Sequence, residues 1–229
     1  MFKGILLDFD NTLYGYESVH ISALLQVYVY VSKTYSVEYN LVTASYERAR
    51  KEIHMELSGT AASHNRLLYF QRMLEILKLN APAYALDVYE RYWSLYLDFM
   101  EISYEVFDFL DSVRDRFRIC LVTDLTAEIQ YRKMNKAGLT KYIDYIVTSE
   151  EAGVEKPHPY IFHLALRKLG MTAQEVCMIG DSYERDIVGA LNMDIQPFWL
   201  FKRPPEGTPQ RVVVFESFDE LEVSKYFAR

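Results

Sequence analysis

The chain has 229 residues, half of them apolar and a quarter charged, a balance that suits a globular protein with one good core or two modest ones and excludes a disordered chain. Its formal net charge of −7 lacks the basic footprint that a nucleic-acid polymer requires. A small anionic substrate stays possible, because a bound cation inverts the local field.

Residues 3–8 read as a short buried strand ending in "LLDFDNT". Residues 18–100 then read as almost pure helix, in segments at about 18–35, 39–57, 63–79 and 82–100. Ser18 and Ser63 are the expected N-caps, and Pro82 suits a first helical turn. The longest nearly apolar run, residues 19–31, falls short of the ~20 residues of a membrane span. No membrane partner is expected, and no signal peptide is evident. The many Tyr and Leu residues at helical spacing are expected to be core.

From about residue 105 the pattern alternates. Helix 105–116 leads to strand 118–123, and helix 126–137 ends near Gly138 before strand 142–148. Helix 159–169, backed by Gly170, leads to strand 176–180, with Thr172 and Glu175 at capping-box spacing in between. Helix 183–192, strand 196–201 and strand 212–215 come next, and Ser217 with Glu220 is expected to cap a final helix. Cys120 and Cys177 lie inside two of these strands and form no C-x-x-C pair, so reduced, buried thiols in a cytoplasmic setting are expected and a zinc site is not.

Alternating helices and β-rich strands predict an α/β fold, a Rossmann-like parallel sheet covered on both faces. The first strand belongs in that sheet, so the helical block is an insertion. The expected division is a catalytic core of 1–14 and 101–229 and a helical cap of 15–100.

Ligands in such sheets bind beyond the carboxyl ends of the strands. Four strand ends deliver Asp8 to Thr12, Thr123 with Asp124, Lys156, and Gly180 to Asp186. Clustered carboxylates repel one another unless compensated, and Mg²⁺, which takes oxygen ligands, compensates well. Asp8, Asp10 and Asp181 are the natural candidates to surround it. A carboxylate also serves as a nucleophile toward phosphorus. Lys156 then supplies positive charge, while Thr123 and the backbone N–H groups of the turn containing Asn11 and Thr12 hold phosphate oxygens. Asp8 and Asp10 stand two apart, so in extended geometry both point the same way, one to attack and one to move a proton. Singly, each piece has a plainer reading: "GDS" as a turn, Lys156 as a solvated loop lysine, Thr123 as a strand end.

In this order, the motifs resemble the haloacid dehalogenase superfamily, in the phosphatase branch with a helical cap inserted after the first strand. "DFDNT" (8–12) is similar to the first motif, Thr123 to the hydroxyl of the second, Lys156 in "EKPHPYIF" to the lysine of the third, and "GDSYERD" (180–186) to the fourth. The resemblance implies Asp8 as nucleophile and Asp10 as general acid/base. It also implies Asp181 as metal ligand, the Asp10 backbone carbonyl as a second metal contact, and Ser182 and Asp186 in support. It departs at Asp124, where Asn is frequent. An extra carboxylate beside a phosphate is unfavourable, so Asp124 either turns away or serves the metal or substrate. The presence of Asp10 implies phosphate-ester chemistry rather than dehalogenation.

The expected function is Mg²⁺-dependent hydrolysis of a small phosphorylated metabolite through an aspartyl-phosphate. The alternatives are a phosphomutase using the same residues, or a non-catalytic protein that kept the fold. The cap is expected to close over the site and select the substrate. Within it, His64, Asn65 and Arg66 read as either substrate contacts or, preferably, a solvated helix start. Tyr14 and Tyr16 are candidate pocket walls. The oligomeric state is left open.

Overall fold

A computed structural model describes residues 2–221 and 223–227. The chain forms two compact units, one of Met1–Gly15 with Glu101–Arg229 and one of Tyr16–Met100.

The first unit is built on a six-stranded, wholly parallel sheet. Its strands are β1 (Gly4–Leu7), β2 (Arg118–Thr123), β3 (Tyr145–Thr148), β4 (Val176–Gly180), β5 (Gln196–Leu200) and β6 (Val213–Phe215), in the order β3-β2-β1-β4-β5-β6. β1 is therefore central, and the order reverses beside it, which places Asp8 at the switch point of the sheet. Leu6, Cys120, Val122 and Met178 pack on one face with Ile161, Phe162 and Ala165. The alternate residues Ile5, Leu7, Leu121 and Ile179 are equally buried. Covering on both faces is why these strands read as continuous apolar runs.

The chain's helices are α1 (Tyr16–Tyr35), α2 (Tyr39–Glu56), α3 (Arg66–Ile76), α4 (Ala81–Phe99), α5 (Tyr104–Val113), α6 (Ala127–Lys136), the single turn α7 (Ser149–Ala152), α8 (Pro159–Leu169), α9 (Val188–Asn192) and α10 (Val223–Tyr226). The second unit contains α1–α4. Its interior is aromatic: Tyr46, Tyr69, Phe70, Tyr92, Trp93 and Tyr96 are all buried. Rings meet edge-on or tilted, as at Tyr92–Trp93 and Trp93–Tyr96, with centroids 5.0 Å apart in each pair.

Several elements differ from the sequence expectation. Ser18 is not an N-cap, because α1 begins at Tyr16, whose ring stacks on His20 one turn along. Ser63 lies in a 3₁₀ turn, and the cap of α3 is Asn65, whose side chain accepts from Leu67 N at 2.9 Å. Arg66 is buried, with hydrogen bonds to His64 O and the Tyr16 hydroxyl, so this is not a solvated helix start. β3 begins only at Tyr145, since the preceding Asp144 turns its carboxylate back to Ile119 N at 2.9 Å and pairs with Arg118. Residues 183–192 form a π turn, Tyr183–Ile187, before α9. Ser217 makes no side-chain cap and is followed by a 3₁₀ turn, Phe218–Glu220, so the final helix α10 begins only at Val223. The capping box of Thr172 and Glu175 is present as expected.

Candidate active site

Four strand ends converge at one edge of the sheet. β1 runs straight into Asp8, whose N–H still bonds Ile179 O of the neighbouring strand at 2.9 Å. The chain then turns sharply through Asn11, which has φ of 65°, a left-handed conformation that Asn tolerates better than most residues. The turn brings Thr12 back beneath Asp8, so that its hydroxyl donates to Asp8 Oδ2 at 2.7 Å and lies 3.2 Å from Asp181 Oδ1. The same hydroxyl accepts from Asp181 N at 3.1 Å.

Lys156 is buried and donates to Asp8 Oδ1 at 2.6 Å, to Asp186 Oδ1 at 2.7 Å and to Val122 O at 2.9 Å. All three of its donor positions are thereby used. Burial alone would lower its pKa, but the charges of Asp186 and Asp8 outweigh burial and hold the ammonium charged. Asp186 is itself anchored, accepting from Ser182 N at 3.0 Å. Trp199 of β5 braces the loop by donating to Asp181 O at 2.8 Å.

Asp8, Asp181 and Asp186 each offer a carboxylate oxygen within 4.8 Å of the others. With one ammonium among three carboxylates, the cluster carries more negative charge than it neutralises. Burial, added to by the Asp8 charge, pushes the carboxyls of Asp181 and Asp186 upward. An all-oxygen, over-charged donor set is what a hard divalent cation fits.

Asp124 turns away from this cluster. One oxygen accepts from Lys156 N at 2.9 Å and the other from Arg185 at 3.3 Å, so the extra carboxylate secures the main chain of the lysine loop. Burial raises its pKa, against the opposing pull of Lys156. Thr123 ends β2 with a buried hydroxyl that accepts from Gln130 Nε2 at 2.6 Å.

Asp10 stands apart from the carboxylate cluster. Its Oδ1 accepts from Lys133 at 2.5 Å and from the Tyr14 hydroxyl, and its Oδ2 accepts from Gln130 at 3.1 Å. Burial would raise this carboxyl, but the Lys133 charge and these hydrogen bonds outweigh it and hold it below the ordinary value. Gln130 and Lys133 do not stand out in the sequence. Their spacing of three, on the α6 face that also buries Ile129 and Met134, is the signal that was there to read. Tyr14 also lines a cleft of about 630 Å³ shared with Asn11, Thr12, Asp181, Phe201 and Lys202.

Comparison with known proteins gives the family. A model of the haloacid dehalogenase-like hydrolase family matches residues 5–200. The chain belongs to that family. This haloacid dehalogenase-like hydrolase is 36% identical over 193 residues to the ribulose-1,5-bisphosphate 5-phosphatase of Halopiger xanaduensis, covering 83% of this chain and 81% of the relative. It is 27% identical over 224 residues to the pyrimidine 5′-nucleotidase YjjG of Escherichia coli, covering 95% of each. Its fold is also that of a HAD phosphatase from Thermococcus onnurineus, with a TM-score of 0.73 at 22% identity, over 98% of this chain and 97% of the other. Among the described residues no helix is long and apolar enough to cross a membrane.

Proposed function

We propose that this hydrolase of phosphoric monoesters is a Mg²⁺-dependent phosphatase of a small phosphorylated metabolite, working through an aspartyl-phosphate on Asp8. The observation that carries this reading is Lys156, buried and bridging Asp8 and Asp186 beside Asp181. It keeps Asp8 oriented at the carboxyl edge of the central strand. The phosphatase names of the relatives support the substrate class.

In the first half-reaction an oxygen of Asp8 attacks phosphorus, and the bond from phosphorus to the leaving oxygen breaks. That oxygen departs with the electron pair and takes a proton from Asp10. In the second half, water attacks the same phosphorus, its proton passes to Asp10, the bond between Asp8 and phosphorus breaks, and inorganic phosphate leaves. Asp10 starts ionised beside Lys133. A phosphate dianion entering next to it raises its proton affinity and loads it for the first half.

The backbone N–H groups of Asn11 and Thr12 and the Thr123 hydroxyl are assigned to the phosphate oxygens, and Lys156, whose three hydrogens are held by Asp8, Asp186 and Val122 O, to the phosphate site as its nearby positive charge. Asp8, Asp181 and the Asp10 carbonyl are assigned to Mg²⁺, with Ser182 and Asp186 supporting. When bound, the ion neutralises charge on the phosphoryl group. Asp124 acts through the loop of Lys156 rather than on phosphate. Substrate selection is assigned to the helical unit Tyr16–Met100.

The test is phosphate release from an aryl phosphate, with and without Mg²⁺, by wild type and Asp8→Asn. Magnesium-dependent release that disappears in the variant is expected, and release retained by Asp8→Asn would overturn the nucleophile. A sugar phosphate returned with its phosphate moved, rather than free phosphate, would make the protein a mutase.

A further inference from the structure

Lys133 is a costly residue in its position. Its side chain is wholly buried in α6, and an ammonium out of water needs a close anion and good hydrogen bonds. Asp10 supplies a carboxylate at 2.5 Å. The Lys133 Nζ also lies over two aromatic rings, 5.6 Å from the Phe9 ring centre and 5.7 Å from that of Tyr14.

One helical turn away, Gln130 donates to the other oxygen of Asp10 at 3.1 Å and to Thr123 at 2.6 Å. The carboxylate of Asp10 is thus gripped through both oxygens from a single helix face, with Tyr14 closing the grip from the far side of the Asn11 turn. A fifth of the Asp10 side-chain surface stays open, since its relative exposure is 20%. An Asp side chain alone would be free to rotate about two torsions. Here its plane is set by the donors Lys133, Gln130 and Tyr14.

We propose that Lys133, with Gln130, is a positioning residue that fixes the orientation of the Asp10 carboxylate for proton transfer to the leaving oxygen. Gln130 additionally ties that orientation to the Thr123 hydroxyl. In this assignment Lys133 acts through Asp10. This inference rests on the acid/base role assigned to Asp10 above.

Leaving-group dependence tests it. An aryl phosphate such as p-nitrophenyl phosphate expels a stable anion and needs little proton help, whereas an alkyl phosphate such as glycerol phosphate expels an alkoxide and needs much. kcat/KM reports the first half-reaction, before the step common to both substrates. Lys133→Met is expected to lower kcat/KM for the alkyl phosphate by about 10- to 100-fold, the scale of a misplaced catalytic group, and for the aryl phosphate by about threefold or less. Combined with Asp10→Asn, it should cause no further loss, because both changes remove one function.

Equal losses on both substrates, or losses that multiply in the double variant, would overturn the proposal. If Lys133→Met fails to fold, Gln130→Ala decides. It removes a neutral donor and is expected to show the same asymmetry in weaker form, and a flat profile would refute the coupling. Turnover surviving in Asp8→Asn would instead overturn the reaction itself, so the two failures are separable.

Discussion

At Gly180 the space for a side chain is already taken. A Cβ there would stand 2.4 Å from Asp186 Oδ2 and 2.5 Å from its Cγ. Asp186 is held by Lys156 at 2.7 Å, and Lys156 in turn orients Asp8, so the absent methyl lies three contacts from the proposed nucleophile. Gly180→Ala is expected to leave the far-UV circular dichroism unchanged and to lower kcat/KM by about 100-fold, as displacing a catalytic constellation does. Steady-state kinetics on the folded variant check it, and wild-type activity in that variant would show that Asp186 can shift freely. Asp124 carries a related lesson. Taken alone, a carboxylate after the second-motif hydroxyl looks harmful, yet its oxygens are taken up by Lys156 N and Arg185.

At the scale of elements, the strand ends are secured by polar side chains that reach across connections. The turn before β4 is one example. Glu175 closes the capping box with Thr172 and also meets Lys3, just before β1, at 2.5 Å. The hydrogen bond from Lys3, then those from Thr172, lower the Glu175 carboxyl to about 2 from an ordinary 4.5. A depressed carboxyl contributes stability that is present above its unfolded pKa and is lost as pH falls through its folded one. The contribution should therefore be full above about pH 5 and fade between 4.5 and about 2. Glu175→Gln is expected to lower Tm at neutrality, where the contribution is full, to change little near pH 2, and so to shallow the fall of Tm with pH in that window. Scanning calorimetry across the window measures it, and an unchanged slope would remove the pair from the account. α6 shows the same economy on a functional face, with Gln130 and Lys133 pointing inward beside Ile129 and Met134.

For the molecule as a whole, charge is the organising quantity. The chain carries a net −7, and three of its carboxylates meet within 4.8 Å. Such a cluster opposes folding unless a cation relieves it, so cation binding to the native state should appear as stability. Adding Mg²⁺ to chelator-treated protein is expected to raise the unfolding free energy, by about 2.7 kcal/mol at a hundred times its dissociation constant. The increment should be lost in Asp181→Asn. A thermal shift titration reads this without any turnover. An equal shift in wild type and variant would place the ion elsewhere.

The fold class and most of the strands were legible in the amino-acid order alone. Burial of both sheet faces forces continuous β-rich runs, and local punctuation at Pro82, Gly138 and Gly170 survives in any tertiary setting. The gathering of Asp8, Lys156, Asp181 and Asp186 was legible too, because each lies beyond the end of a strand and a parallel sheet gathers its strand ends at one edge. Helix starts were less readable. Ser18 and Ser63 have capping chemistry, but ring stacking of Tyr16 on His20 and the side chain of Asn65 prevailed. The surroundings of Asp10 and Asp124 belong to the tertiary structure. Gln130, Lys133 and Arg185 reach them from 120, 123 and 61 residues away in the chain, and no local pattern records which carboxylate a distant donor will meet.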